Sequence, residues 1–172
     1  LYVISGTQVK RFEVEPDEPW VSEETTVVSG GLAEPRRTFV ADDGTLYVAD
    51  WGTSHQIRVF SPEGKPLRAI GEPGGPQLGR YDERRMSYPC GMTLDGQGRL
   101  WVAEAETYPK RLSQWRASDG TFLWARYGPP KYGGGGAIDA HDKTRFFYAE
   151  YDQGGGILTR GGDAVWPKRK TV

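Results

Sequence analysis

One cysteine, Cys90, stands in 172 residues, so no internal disulfide can form and the redox compartment stays open. Histidine is nearly as scarce, with only His55 and His141. A zinc centre built on histidines needs several of them converging, and two do not supply it, so no metal or cofactor is expected. Charge of either sign is not in surplus: 22 Lys and Arg face 23 Asp and Glu, for a net charge of −1. A broad nucleic-acid footprint would show a clustered basic excess, so no nucleic-acid partner is expected. The only tight basic run, Lys168-Arg169-Lys170, reads as solvated tail. No stretch is long and apolar enough to span a bilayer, which takes about 20 residues. An initiator methionine and a signal-peptide pattern are both missing. The chain opens inside what reads as a strand, Leu1-Tyr2-Val3-Ile4, which leads us to expect a piece of a longer protein. The compartment is not fixed, and an extracytoplasmic one is slightly favoured.

Turn formers and aromatics are plentiful. Gly 24 and Pro 12 make up about a fifth of the chain, which suits many short strands rather than helices. Aromatics at 12% argue against disorder. Four segments superpose: Leu1–Ser5, Leu46–Asp50, Leu100–Glu104 and Phe146–Glu150, with starts 45, 54 and 46 residues apart. A second segment follows each, at Val9–Phe12, Ile57–Phe60, Leu112–Trp115 and Ile157–Arg160. All are short, β-branched or aromatic, and bounded by Gly, Pro, Asp or Ser, the strand signature. Asp43-Gly44, Glu63-Gly64, Asp95-Gly96 and Asp119-Gly120 mark hairpins. The second unit predicts strands near Arg37–Ala41, Thr45–Asp50, Gln56–Phe60 and Pro66–Ile70. The third predicts them near Gly91–Leu94, Arg99–Glu104, Arg111–Trp115 and Thr121–Tyr127. Four antiparallel strands per repeat of about 45 residues is a propeller blade. Phe60 and Trp115, at one offset in successive units, are expected to be buried between blades.

One unit carries a family resemblance. Leu46-Tyr47-Val48-Ala49-Asp50-Trp51-Gly52, then His55-Gln56-Ile57-Arg58-Val59-Phe60 and the turn Pro62-Glu63-Gly64, resembles the core of an NHL repeat. Gly71, Gly79, Pro89 and Gly91 resemble the linker into the next blade. The third unit matches more loosely, with Glu104 for the aspartate, and the fourth keeps Tyr148-Ala149-Glu150. A WD40 assignment lacks its Gly-His and Trp-Asp pairs. The resemblance implies an all-β domain over 1–172, a run of about three and a half to four blades. The family usually closes six, so the remaining blades of a parent propeller are expected partners. A closed four-bladed ring is the alternative.

In a meander of strands a to d, the b–c and d–a connections emerge at one end and the a–b and c–d turns at the other. The d–a linker near Glu72–Cys90 is long, and long loops in a compact fold are commonly functional. The b–c loops are also expected to be longer than the a–b and c–d turns. The loop-rich end gathers Trp51, His55, Tyr81, Arg84, Arg85, Glu106, Tyr108, Lys110, Tyr132 and Tyr151. Aromatics beside charges suit protein or glycan partners. Trp51, His55, Glu106, Tyr108 and Tyr151 are therefore the candidate ligand-binding residues. The plainer reading is that they pack the loops on one another.

Asp50, Glu104 and Glu150 share one phase at the ends of second strands. A carboxylate ring suits Ca²⁺, but sites on neighbouring blades lie too far apart to share an ion. The expected role is structural, accepting hydrogen bonds from amides of the following loop. Cys90 has no base near it in sequence, so a nucleophile is not expected. Gly133–Gly136 and Gly154–Gly156 lack the Lys-Ser/Thr of a phosphate loop and read as linkers. The expected function is non-catalytic recognition or scaffolding through the loop-rich face. The alternative is a metal-dependent propeller lyase or lactonase-like hydrolase with ligands partly outside this chain. RNA binding is a third reading, without the basic face it requires.

Overall fold

The computed structural model describes residues 1–14, 17, 21–78, 80–105, 110–128, 136–138, 146–149 and 157–160. Every element among them is a β-strand. β1 (Tyr2–Ser5), β2 (Gln8–Val14) and β3 (Val21–Val28) form an antiparallel sheet in chain order. A second sheet runs β4 (Pro35–Val40), β5 (Leu46–Asp50), β6 (Gln56–Phe60) and β7 (Pro66–Ile70). A third repeats it with β8 (Pro89–Leu94), β9 (Arg99–Glu104), β10 (Arg111–Arg116) and β11 (Phe122–Tyr127). β12 (Gly136–Ile138), β13 (Phe146–Ala149) and β14 (Ile157–Arg160) make a fourth sheet of three described strands. The four repeat phases thus become four meanders. β4, the first strand of its blade, contacts β8, the first strand of the next blade, and also β1, which by its repeat phase is the second strand of the preceding blade.

The second blade is a slab buried on both faces, which explains its unbroken apolar run. Side chains alternate along a strand, so β5 sends Leu46 and Val48 one way and Tyr47 and Ala49 the other. Leu46, Val48 and Phe60 join Val9, Val28 and Leu32 of the first blade and its linker in one core. Tyr47, Ala49, Ile57, Val59 and Ile70 join Leu100, Val102 and Trp115 of the third blade in another. Phe60 opposes Leu46, and Trp115 opposes Leu100, in matching registers. At 2% and 1% exposed, Phe60 and Trp115 are the equivalent inter-blade anchors their spacing predicts. The Trp115 ring meets Phe122 edge-on at 5.1 Å, and its Nε1 donates to Ser113 Oγ at 2.9 Å.

The hairpin turns differ in detail from the two-residue type that Asp-Gly favours. Only the glycine is left-handed in each, at Gly44, Gly64 and Gly120, as in longer loops that close with a bulged glycine. In the turn after β8 that residue is Gly98, not Gly96. β3 is the strand whose signal is weak: Ser22-Glu23-Glu24-Thr25-Thr26 lacks apolar alternation, and its pairing with β2 supplies the order instead.

Candidate functional site

The two ends of the blades are built differently. In blade two the b–c loop 51–55 has five residues, as has the a–b turn 41–45, so the expected difference is absent there, while in blade three the b–c connection 105–110 has six residues against four in the a–b turn 95–98. The eighteen-residue linker 71–88 sets the ends apart. At the short-turn end the polar groups are consumed locally. Asp43 accepts from the Thr45 amide, Asp95 from Gln97 and Asp119 from Thr121, each at 2.9 Å. The Thr121 amide and hydroxyl hydrogen bonds, then Arg116, hold the Asp119 carboxyl down at about 2. Asp95 also takes Trp101 Nε1 and Arg99 Nε, and the tryptophan bond leads in pulling its carboxyl well below the usual range.

At the other end, the carboxylates closing β5 and β9 tie each blade to the linker that leads into it. Asp50 accepts from the amides of Ala33 (2.9 and 3.1 Å) and Glu34 (2.7 Å). Glu104 accepts from Ser87 N at 2.7 Å. Next to them, the amides of Trp51 and Ala105 donate to the carbonyls of Glu34 and Tyr88, both at 2.9 Å. The structural role of this phase is as expected, but the amides belong to the preceding linker and not to the following loop. That linker enters the first strand, and only there do its free amides lie beside the end of the second.

Blade three adds a buried polar knot. Glu104 pairs with Arg111 Nε at 2.5 Å, with side chains 2% and 1% exposed. Arg111 Nη1 donates to Tyr81 Oη (3.0 Å) and Glu83 O (2.8 Å), while Nη2 has no partner among the described residues. The Tyr81 hydroxyl donates to Tyr127 Oη at 3.2 Å, and Tyr127 to Glu83 Oε1 at 3.1 Å. Burial pushes Glu104 above its ordinary range, against the pull of Arg111 and the Ser87 amide. Burial alone would lower Arg111, but Glu104 and Tyr81 more than reverse it, so the guanidinium stays charged. Tyr127 is raised, first by burial and then by its neighbour Tyr81.

Between blades two and three lies an aromatic cluster. The b–c loop places Trp51 and His55 against Tyr88, the last residue before β8. The Trp51 and Tyr88 rings meet edge-on at 4.9 Å, and His55 and Tyr88 at 4.5 Å. Trp51 Nε1 donates to Pro89 O at 2.7 Å. The Arg36 guanidinium sits 4.7 Å over the Trp51 ring and pairs with Glu34. The Tyr88 amide donates to His55 Nδ1 at 3.2 Å. Both of these residues are left-handed, with φ of 50° and 51°, a conformation uncommon for bulky side chains. Burial lowers the His55 imidazole below its ordinary value, and Glu34 and Asp50 oppose the shift without cancelling it. Tyr88 keeps 36% of its surface exposed.

Of the candidate ligand-binding residues, Trp51 and His55 therefore come together. Glu106, Tyr108 and Tyr151 lie outside the described residues, as do His141 and Glu150. The sequence did not single out Tyr88, Arg36 or Arg111. Its faint signal was the blade offset: Tyr88 follows Glu34 by the 54 residues that separate Glu104 from Asp50. Among the described residues no three His, Cys, Asp or Glu side chains gather as a metal site would. No described helix is long and apolar enough to cross a membrane.

No family model matches the chain, and no curated protein matches it either. Solved structures do. One chain from the crystal structure of a nidogen/laminin complex superposes with a TM-score of 0.50 at 17% identity, covering 90% of this chain. A Bacteroides fragilis protein described as exported superposes more distantly, with a TM-score of 0.40 and 12% identity over 96% of this chain. The chain spans 52% and 43% of these two neighbours' lengths. At 17% identity the first of these likenesses concerns the fold alone, and it agrees with the antiparallel meanders and the inter-blade anchors. The chain is an all-β propeller segment built of four-stranded antiparallel blades.

Proposed function

We propose that this segment is a recognition scaffold, an NHL-type repeat array that binds a protein partner through its loop-rich end. The observation that carries the reading is the Trp51–Tyr88–His55 cluster. Rigid aromatic rings, held by Trp51 Nε1 on Pro89 and by Arg36 stacking, offer contact area at low entropic cost. Tyr88 is the exposed member. The opposite end offers turns whose carboxylates already hold their own amides. That nidogen forms a complex with laminin supports a protein rather than a glycan as the kind of partner. Further blades of a larger propeller, six in all, would extend the same rim.

Photo-crosslinking tests the face. A benzoylphenylalanine at Thr53 or at Glu63 samples the two ends, and both positions are exposed. The Thr53 probe is expected to capture a protein in extracts of the source cells, and the added change Tyr88→Ala to abolish capture. Capture at Glu63 alone would place recognition at the wrong end. A glycan array that binds the chain and loses binding on Tyr88→Ala would favour a sugar ligand.

A further inference from the structure

We propose that His55 is an acid-released latch on the Tyr88 segment, so that mild acid loosens the rim formed by Trp51 and Tyr88. The device rests on a hydrogen bond whose direction admits only one protonation state. The backbone amide of Tyr88 donates to His55 Nδ1 at 3.2 Å, so Nδ1 must carry a lone pair. A protonated imidazole has N–H groups at both nitrogens. Nδ1–H would then face the Tyr88 N–H, and the attraction becomes repulsion.

The ring has no room to turn aside. A Cβ on Gly75 would lie 2.9 Å from His55 Cγ, so the linker backbone presses on one face of the imidazole. The Tyr88 ring stands edge-on at 4.5 Å on another. The linker is tied back to the same loop by the Gly74 amide, which donates to Ser54 O at 2.9 Å. Both latch residues hold left-handed backbones, conformations that persist only while surrounding contacts impose them. Losing the bond therefore releases backbone strain in the direction of opening.

The charges acting on His55 come from two segments. Asp50, at the end of β5, and Glu34, in the linker before β4, both favour the protonated ring, while burial disfavours it more. Glu34 is partly neutralised by Arg36. From the 71–88 linker, Arg85 is engaged by the Pro73 carbonyl and Arg84 by Asp82 and Glu72. With the folded value depressed below 6.5, the latch contributes fully above 6.5. It is lost as pH falls through the folded value.

The latch stands whether or not this face binds anything; its use in releasing a partner rests on the function proposed above. The test is an NMR titration of the whole chain from about pH 7.5 to about pH 5, the range in which histidine switches. His55 ring protons and the Tyr88 amide are expected to titrate with one midpoint, below 6.5. Tyr88 amide exchange, corrected for its intrinsic pH dependence, is expected to rise as pH falls towards that midpoint, by up to about tenfold per pH unit, and to level off below it, where the ring is already protonated. His55→Asn keeps a residue tolerant of positive φ and an amide oxygen in the acceptor position, so its Tyr88 amide should stay protected throughout. Gly75→Ala, which displaces the ring, should expose that amide at neutral pH. A midpoint at or above 6.5, a Tyr88 amide indifferent to pH, or the same acid response in His55→Asn would each overturn the latch. If the latch is confirmed but crosslinking at Thr53 does not change with pH, its use in releasing a partner fails and the latch survives, whereas capture at Glu63 alone sinks the recognition reading and leaves the latch untouched.

Discussion

Asp50 and Glu104 occupy one position in successive blades and satisfy it with different chemistry. Asp50 is short, and both oxygens are used on the Ala33 and Glu34 amides. Glu104 is one methylene longer, gives one oxygen to the Ser87 amide and spends the other on a buried arginine. The consequences of removal differ accordingly. Asp50→Ala strands two backbone donors beside a 1% exposed site, at about 1–3 kcal/mol for each unsatisfied group. Glu104→Gln leaves Arg111 charged and buried without its counter-ion, and breaking such a pair costs about 3–5 kcal/mol. Urea melts of the two variants check both values. Replacing Glu104 and Arg111 together by Gln and Leu should restore much of the loss, because the buried charge goes with its partner. The phase of these acids was legible from spacing alone. The arginine was not, because nothing in Lys110-Arg111-Leu112 separates a buried guanidinium from an exposed one. Only the linker folding over Arg111 does that.

Strands were the most readable elements, because two-sided burial writes itself as apolar continuity in Leu46–Asp50 and Ile57–Phe60. Their ends were fixed by turn residues, and the turns carry a packing duty that sequence does not display. A Cβ on Gly64 would lie 1.7 Å from Val27 O, in a residue with φ of +82°. The turn after β6 thus presses its backbone on β3 of the preceding blade. Gly120 repeats the arrangement on β7, with Ala69 O at 3.4 Å, and Arg68 Nε reaches back to Ala117 O at 2.7 Å. The two glycines have different tolerances. Gly120→Ala should cost about the 1–2 kcal/mol of a left-handed alanine, whereas Gly64→Ala must also push two blades apart and should cost more. Thermal denaturation of the pair decides it, and equal losses would show that the Val27 approach relaxes freely. The weakly patterned β3 was missed for a related reason: apart from Val27 and Val28 at its end, its order comes from β2 and from this close approach.

At the scale of the molecule, the cores among the described residues lie between blades rather than within them. Two separate clusters flank blade two, one shared with blade one and the other with blade three. Repeat proteins of this kind approach a sum of nearest-neighbour interfaces, so the segment should behave as junctions in series. Phe60 and Trp115 are the matching anchors of the two junctions, and they allow a direct measure of coupling. Truncation to alanine would remove about 3–5 kcal/mol at each, which together approaches the entire stability of a domain. Milder changes, Phe60→Leu and Trp115→Phe, keep the chain folded while loosening each junction. If the junctions are independent, the double variant should lose the sum of the single losses to within about 0.5 kcal/mol, as distant sites do. Among the described residues only blade two contributes to both clusters, so coupling between them is carried by its strands β4, β5 and β6. There Leu46 and Tyr47, and likewise Val59 and Phe60, point to opposite sides of one backbone. A shift of that backbone at one junction would be felt at the other. A double-mutant cycle in urea giving an interaction above about 1 kcal/mol would show that blade two transmits strain as a rigid plate. The junctions would then form one cooperative unit instead of two in series.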